Sequence, residues 1–148
     1  MTKSIFLAGA IALATALPAA AELVTVQSQK SVGETIDALQ AAVENAGATV
    51  FARVDHAAGA QNAALELNPS QLLIFGNPKL GTPAMQADMR AGLYLPLKVL
   101  AYEDGDGQVW LTYQDPGEML SGLDIPADAA FIAKMQGALG KLTAKAAE

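Results

Sequence analysis

The sequence contains no cysteine, a single histidine and few aromatic or charged residues. Without cysteine it has no disulfide bond, no thiolate metal site and no thiol nucleophile. Nine Lys and Arg residues stand against 15 Asp and Glu residues, and the formal charge is -6. Because the basic residues are few and scattered, the clustered positive charge that a nucleic-acid partner requires is missing. The length of 148 residues predicts one domain.

The first 21 residues have the composition of a secretory signal peptide. Lys3 precedes an apolar run over residues 5–17, and small residues follow up to Ala21. The run is shorter than the roughly 20 residues that a membrane-spanning helix needs. We therefore predict cleavage after Ala21 and export to the periplasm. The mature chain, residues 22–148, is expected to be soluble and to have no membrane span.

Hydrophobic periodicity predicts a single α/β domain of the α+β type, with about five strands and three to four helices. Strand patterns occur at residues 23–29, 48–54, 71–75, 97–103 and 108–114. Strong helical patterns occur at residues 31–47, 82–91 and 127–146, and weaker ones at 57–67 and after 115. The first helix has a capping box formed by Ser31 and Glu34.

The central feature is the segment LLIFGNPKLG at residues 72–81, an apolar strand that ends in a loop. The loop is predicted to run up to Thr82, which caps the next helix, and Pro83 would be the first helical residue. Free N–H groups here, together with Lys79, can hold a small carboxylate or phosphate. Tight-turn geometry alone also explains the Gly-Asn-Pro sequence, and the glycine spacing of a phosphate loop is absent.

His56 directly follows a predicted strand and Asp55. A histidine can act as an acid, a base or a metal ligand near neutral pH, and a carboxylate can fix its tautomer. Neighbouring residues of a strand point to opposite faces, however, which places Asp55 badly for this role. A structural role for His56 and a functional one both stay open. The functional alternative includes an enzyme that uses His56 with Lys98.

Two methionines, Met85 and Met89, are four residues apart on the predicted helix after the loop. This spacing places both sulfur atoms on one helix face. Two thioethers with His56 suit Cu(I), and a histidine–methionine pair can ligate haem. Methionine also fills irregular gaps in a core. The sequence therefore allows both a metal or haem site and a packing role.

The predicted hairpin near the end of the chain carries Lys98 together with Tyr102, Trp110 and Tyr113. Aromatic residues beside a lysine can line a ligand pocket, and aromatic residues are also enriched at protein interfaces. The pattern therefore allows a ligand site and a dimer interface. A buried Lys98 would need a carboxylate partner.

Four separated segments resemble a known family. They are VDHA at residues 54–57, FGNPKLGTPAMQ at 75–86, LPLKVLAYEDGDGQVWLTYQDP at 95–116 and AKMQGALGKL at 133–142. Together they resemble the bacterial and archaeal family named domain of unknown function 302, over about residues 23–145. The resemblance implies a small α/β domain with a mixed sheet that forms a homodimer, and it implies no activity. The matching family positions are Asp55, His56, Phe75, Gly76, Asn77, Pro78, Gly81, Thr82, Pro83, Met85, Pro96, Lys98, Tyr113 and Pro116.

We expect an exported domain that binds a small, possibly anionic, ligand near the FGNP sequence. The alternative is a homodimeric interaction or structural module of the periplasm, whose partner is another copy or a periplasmic protein. A metal-binding or haem-binding protein, or an enzyme, is the third hypothesis, although no catalytic constellation is recognised and no cofactor is assigned. The candidate ligand-binding residues are Asp55, His56, Gly76, Asn77, Lys79, Thr82, Lys98 and Tyr113. The candidate metal ligands are His56, Met85 and Met89.

Overall fold

A computed structural model describes residues 22–148 of the chain. The predicted signal peptide lies outside the described residues. Within residues 22–148 the chain forms five strands, five α-helices and one 3-10 helix. In chain order they are β1 (Leu23–Ser28), α1 (Val32–Asn45), β2 (Thr49–Asp55), α2 (His56–Asn62), β3 (Ser70–Gly76), α3 (Pro78–Ala87), the 3-10 segment (Met89–Leu93), β4 (Leu97–Glu103), β5 (Val109–Gln114), α4 (Pro116–Leu120) and α5 (Ala130–Ala147).

The five strands form one sheet in the order β1-β5-β4-β3-β2, and all four pairings are antiparallel. The predicted single α/β domain with five strands is confirmed. The sheet differs from the predicted mixed sheet because β1 and β2, which run in the same direction, lie at opposite edges and do not pair. Among the described residues the helices exceed the predicted three to four, because the short α2 and α4 both form.

Helices cover one face of the sheet, here called the inner face. α1, α3 and α4 all contact α5, and α1 also contacts the central strands β3 and β4. The inner face buries Leu73, Val99 and Leu111 completely. On the opposite face, here called the outer face, alternate side chains stay half-buried. They are Leu72, Ile74, Leu100, Tyr102 and Trp110.

α1 begins where the sequence predicts, at the capping box of Ser31 and Glu34. The N–H of Glu34 donates to Ser31 Oγ at 3.3 Å, and the N–H of Ser31 donates to Glu34 Oε2 at 3.1 Å. The hydroxyls of Ser28 and Thr35 share a buried hydrogen bond of 2.8 Å. This bond ties the end of β1 to α1, so the helix leaves the sheet edge in a fixed direction.

A β-bulge in β2 redirects one aromatic side chain. Val50 pairs with Phe75 and Ala52 pairs with Ile74, so Phe51 is an extra residue in the ladder. Its side chain is 57% exposed. Because of the bulge, the Phe51 ring does not follow the regular alternation of side chains between the two faces of the sheet.

α3 begins at Pro78, five residues before the predicted first helical residue, Pro83. Asn77 is the N-cap: its Oδ1 accepts a hydrogen bond of 2.9 Å from the N–H of Lys79, and Pro78 takes the first helical position. Thr82 and Pro83 lie inside the helix. Asn-Pro and Thr-Pro are both helix-start signals, and the chain uses the first. The predicted loop is therefore the first turn of α3.

Asp88 fixes the segment that follows α3. Its carboxylate accepts hydrogen bonds from the N–H of Arg90 at 2.9 Å and from the Arg90 guanidinium, with the Nη2–Oδ2 distance at 2.6 Å. The N–H of Asp124, in the connection between α4 and α5, donates to the same carboxylate at 3.0 Å. The hydrogen bonds from Arg90 hold the pKa of Asp88 well below its usual range. Asp88 thus starts the 3-10 segment and ties it to the neighbouring connection.

Replacing Leu73 by alanine should lower the free energy of unfolding by about 2–5 kcal/mol, because the change leaves a cavity in a packed core. Leu72→Ala is the matched control, since this neighbour of the same type points to the outer face. We expect a clearly smaller loss for Leu72→Ala. Urea denaturation of both variants measures the two free energies, and equal losses would contradict a sheet that is packed on one face.

Asp88→Asn should lower the midpoint of thermal unfolding at pH 7, because Arg90 loses its ionic partner. The pKa of Asp88 is depressed in the folded protein, so the stabilisation is complete above the unfolded-state pKa of about 4 and is lost as the pH falls towards the folded-state pKa. The difference between wild type and variant should therefore shrink below about pH 4. Asp128→Asn, at an exposed position, is the control. A difference that stays constant down to pH 2 would show that the charge of Asp88 is not what stabilises the segment.

Candidate functional site

A cavity of about 340 Å³ opens at the end of the sheet where β3 passes into α3. This volume lies within the usual range of small-molecule pockets. We call it the GNP pocket after Gly76, Asn77 and Pro78, which form part of its wall. Its other lining residues are Phe51, Leu80, Gly81, Thr82, Met85, Gly92, Leu95, Pro96, Leu97 and Met135.

Glycine backbones form part of the pocket wall. A Cβ on Gly76 would lie 3.5 Å from Phe51 Cε2 and 3.5 Å from Pro96 Cβ. A Cβ on Gly92 would lie 3.4 Å from Met85 Sδ. Side chains at these positions would extend from one wall towards the other. The free space of the pocket therefore depends on the absence of side chains there.

The pocket is apolar, and no charged side chain is among its lining residues. Asn77 and Thr82 supply the polar side chains of the lining. Met85, from α3, and Met135, from α5, line the same cavity as Phe51. The arrangement is that of a binding cavity for an uncharged molecule, since a charged group would lose its hydration without gaining a partner.

The first turn of α3, beside the pocket, has no free N–H group among residues 78–81 to bind an anion. Pro78 has no N–H, and the N–H of Lys79 donates to the Asn77 side chain at 2.9 Å. The N–H groups of Leu80 and Gly81 donate to the Asn77 carbonyl at 2.9 and 3.0 Å. The N–H groups that the sequence predicts for a carboxylate or phosphate are therefore already used within the helix. The side chain of Lys79 is exposed and does not line the pocket.

The predicted ligand-binding residues do not form one group. Those that line the GNP pocket are Gly76, Asn77 and Thr82. Those that lie outside its lining are Asp55, His56, Lys79, Lys98 and Tyr113.

Asp55 and His56 lie at the far end of the sheet from the pocket. Thr49 pairs with Gly76 at one end of the β2–β3 ladder, and Asp55 pairs with Gln71 at the other. At about 3.4 Å per residue, the ladder separates the two ends by about 17 Å. One small ligand therefore does not reach both His56 and the GNP pocket.

Asp55 has a local structural role. Its Oδ1 accepts a hydrogen bond of 2.9 Å from the N–H of Ala58, which makes it the N-cap of α2, and its Oδ2 accepts one of 3.2 Å from Gln71 Nε2. His56 is the first residue of α2, and its side chain is exposed. The carboxylate of Asp55 is thus engaged by the backbone and by Gln71. It does not orient the imidazole.

The predicted metal site is not assembled by the fold. Met85 lies in α3, but α3 ends at Ala87, and Met89 lies in the 3-10 segment with 77% of its surface exposed. The two sulfur atoms therefore do not share a helix face, because Asp88 breaks the helix between them. Within residues 22–148 no group of three or more His, Asp or Glu side chains is placed to hold a metal ion.

Lys98 and Tyr113 occupy opposite faces of the sheet. Lys98 lies on the outer face, where its exposed ammonium donates to the carbonyls of Tyr94 at 3.2 Å and Pro96 at 3.3 Å. It therefore does not need the carboxylate partner that a buried lysine would require. Tyr113 is buried on the inner face, and burial raises the pKa of its phenol.

Several pocket residues were not predicted from the sequence. Phe51 reaches the pocket through the β2 bulge, which leaves no clear local sequence signal. Gly92 directly follows the predicted helix at residues 82–91, and Met135 lies within the predicted helix at residues 127–146. The available signal was the repetition of glycine around one apolar segment, at Gly76, Gly81 and Gly92.

In the described part of the chain, none of the helices has the length and apolar content needed to cross a bilayer.

Three Brucella proteins are similar to this chain over 117 residues at 48% identity. The match to the fluoride-specific ion channel FluC 1 of Brucella suis covers 78% of this chain and 46% of that protein. The matches to FluC 1 of Brucella abortus and FluC 2 of Brucella melitensis cover 78% of this chain and 43% of each protein. The chain therefore spans less than half the length of the curated relatives that it matches.

The fold has a counterpart of known structure. The crystal structure of an uncharacterised conserved DUF302 protein from Bacillus stearothermophilus superposes with a TM-score of 0.76, and the match covers 84% of this chain and 97% of that chain. The sequence identity is 20%, so this likeness concerns the fold. The sequence itself matches the family described as domain of unknown function DUF302 over residues 24–144, nearly all of the described chain. This protein belongs to the DUF302 family.

Proposed function

We propose that the domain binds a small, uncharged and mainly apolar ligand in the GNP pocket. The observation that carries the proposal is a cavity of about 340 Å³ with an apolar lining and two polar side chains at its wall. Such a combination is typical of small-molecule sites, in which apolar contacts supply affinity and a few polar groups fix orientation. The N–H groups in the first turn of α3 already donate hydrogen bonds to Asn77. They are therefore not free to bind the anion that the sequence predicts, which favours an uncharged ligand.

Water molecules find few hydrogen-bond partners among the side chains of this pocket. A bound water molecule needs two to four polar partners, and the lining side chains that can supply them are Asn77 and Thr82. Poorly bonded water is displaced favourably by an apolar group. The burial of apolar ligand surface adds about 25 cal/mol per Å². The pocket thus supports binding through shape and apolar contact.

Gly81→Leu should close the GNP pocket, because a side chain at this position begins 3.7 Å from Leu95 and extends into the cavity. Gly59→Leu is the matched control, since a Cβ there meets no atom within 4 Å. We expect native mass spectrometry of protein purified from its source cell to detect a bound small molecule on the wild type and on Gly59→Leu. The Gly81→Leu variant should lack this mass completely.

Xenon provides a second measurement that does not depend on the natural ligand, because it enters apolar cavities whatever their shape. Xenon should shift the amide resonances of Gly76 and Leu80 in the wild type and in Gly59→Leu, and not in Gly81→Leu. Circular dichroism checks that each variant is folded. A wild type with neither a bound molecule nor a response to xenon would contradict the proposal. A folded Gly81→Leu variant that keeps both would contradict it as well.

We also propose that the chain is exported and cut after Ala21, on the basis of the sequence of residues 1–21. The same mass spectrum tests this proposal. A protein that consists of residues 22–148 is the expected result, and a full-length chain is the result that excludes cleavage.

A second candidate function is an interaction module in which the outer faces of two copies meet. Its support is the half-buried apolar side chains of Leu72, Ile74, Leu100, Tyr102 and Trp110, which come from three neighbouring strands. Sheets stack face to face about 10 Å apart with side chains interdigitated, and aromatic residues are enriched at interfaces. A homodimer would bury this face.

The Brucella relatives support an interaction role for domains of this kind. In each of them, a region similar to this chain accounts for less than half of a protein named as a fluoride-specific ion channel. The domain there belongs to a larger protein, and the rest of that protein lies outside the match. We infer that the present domain acts against another protein surface, and the outer face is the surface that we propose for it.

Trp110→Glu should convert the dimer to a monomer in sedimentation velocity, because the variant would place an unpaired carboxylate in the interface. Gln86→Glu adds the same charge at an exposed position of α3 and should leave the dimer intact. Trp110 also donates to Asp104 Oδ2 at 2.8 Å, so circular dichroism of the variant is needed to confirm the fold. A monomeric wild type, or a dimer that survives Trp110→Glu, would remove the outer face from this role.

A further inference from the structure

The 3-10 segment after α3 carries the two most exposed large apolar side chains of residues 22–148. Leu93 exposes 82% of its surface and Met89 exposes 77%. Gly92, which lies between them in the chain, lines the GNP pocket. Side chains with so much exposed surface project from the protein and are not held in a groove of it. The 3-10 segment therefore presents an apolar projection beside the pocket.

Two aromatic side chains extend this apolar surface. Tyr94, directly after the 3-10 segment, and Phe51, at the bulge of β2, are both exposed. Phe51 lies beside Pro96, since atoms of both side chains are 3.5 Å from the Cβ position of Gly76. The exposed apolar side chains at this end of the sheet are here called the tip. They are Phe51, Met89, Leu93 and Tyr94.

Basic side chains border the tip in a chain that is acidic overall. Residues 79–98 contain Lys79, Arg90 and Lys98 and one acidic residue, Asp88, whereas the whole chain has a formal charge of -6. Lys98 Nζ donates to the carbonyl of Tyr94 at 3.2 Å, which holds an ammonium group beside the tip. Lys79 is exposed in the first turn of α3, next to the pocket. The tip is thus an apolar surface with a basic border.

Two of these three cations have no carboxylate partner. Arg90 is paired with Asp88 at 2.6 Å, and Asp124 lies close to the same guanidinium, so the charge of Arg90 is balanced within the protein. Within residues 22–148, Lys79 and Lys98 form no ion pair. Their charges are therefore free to attract an anionic partner.

The composition of the tip favours a lipid surface over a protein surface. Protein interfaces are depleted in lysine. Proteins that lie on membranes combine large apolar side chains, which enter the acyl region, with Lys and Arg, which attract acidic headgroups. Tyrosine suits the boundary between the two regions, because its ring is apolar and its hydroxyl is polar. The tip and its two unpaired lysines contain all of these elements.

We propose that the tip docks on a lipid bilayer with acidic headgroups, with Met89 and Leu93 inserted among the acyl chains and Lys79 and Lys98 at the headgroups. The wall of the GNP pocket at Gly92 would then lie at the membrane surface. Docking requires no ligand in the pocket, so it is tested separately from the proposed function.

Sedimentation with vesicles measures this docking. The probes are vesicles of phosphatidylcholine alone and vesicles of equal parts phosphatidylcholine and phosphatidylglycerol, mixed with the protein purified from its source cell. We expect the mixed vesicles to bind the wild type about tenfold or more tightly than the neutral ones, because each lysine near an acidic surface contributes about fivefold. Salt at about 1 M screens exposed charges and should remove this difference.

Leu93→Asp should lower the binding constant for the mixed vesicles about tenfold or more, because it removes a leucine from the acyl region and adds a charge that acidic headgroups repel. Leu65→Asp is the matched control and should bind like the wild type. Leu65 is also an exposed leucine, at 65%, but it follows α2 at the far end of the sheet.

Lys79→Gln should weaken binding to the mixed vesicles about fivefold. Lys145→Gln removes the same charge at an exposed position about 15 Å further along α5 than the pocket-lining Met135, and it should have a clearly smaller effect. Equal effects of the two changes would show that net charge, and not the border of the tip, attracts the vesicles.

Circular dichroism checks that each variant is folded. A wild type that binds neither kind of vesicle, or a folded Leu93→Asp variant that binds as well as the wild type, would overturn the proposal. If Leu93→Asp instead changes the sedimentation coefficient of the protein without vesicles, the tip is an interface between copies and the lipid assignment is wrong. Gly81→Leu, which closes the pocket, should still dock, so failure of docking and failure of ligand binding are distinguishable.

Discussion

The structure depends on one packing constraint: an antiparallel sheet buries its large apolar side chains against helices on one face. Leu73, Val99 and Leu111 lie in three adjacent strands and are completely buried in the core that the sheet forms with the helices. Because the helices lie on the inner face, α3 must leave the end of β3 and turn towards α5. The turn leaves a space between the sheet end, α3 and the 3-10 segment. The GNP pocket is this space.

Features fixed by neighbouring residues could be predicted from the sequence. The capping box of Ser31 and Glu34 needs only four residues in the right order, and it forms as predicted. The alternation of β4 also follows from its sequence, with Val99 buried and Lys98 exposed. The apolar strand that ends at Gly76 was located for the same reason. In each case the stabilising contact lies within a few residues or repeats regularly along one element.

Features that require distant parts of the chain could not be predicted. Asn77 and Thr82 each precede a proline, so both satisfy the local rule for a helix start, and the neighbouring residues do not decide between them. The strand–helix–strand pattern of β1, α1 and β2 suggests parallel pairing, but β5, β4 and β3 lie between the two strands. The bulge at Phe51 depends on the register with β3. The start of α3, the order of the strands and the bulge in β2 are therefore decided by tertiary packing.

The glycines of the pocket connect this fold to the proposed function. A glycine inside a helix costs roughly 0.5–1 kcal/mol relative to alanine, and Gly81 lies inside α3. Among the described glycines, positive φ occurs at Gly47 and Gly107 and not at Gly81, so no special backbone conformation explains the residue. A Cβ there would be in ordinary contact with Leu95. An alanine would therefore fit and strengthen the helix, and what glycine preserves is open volume in the pocket. The glycine therefore lowers the stability of the helix and leaves open volume in an apolar pocket. This combination is consistent with a pocket that binds a ligand.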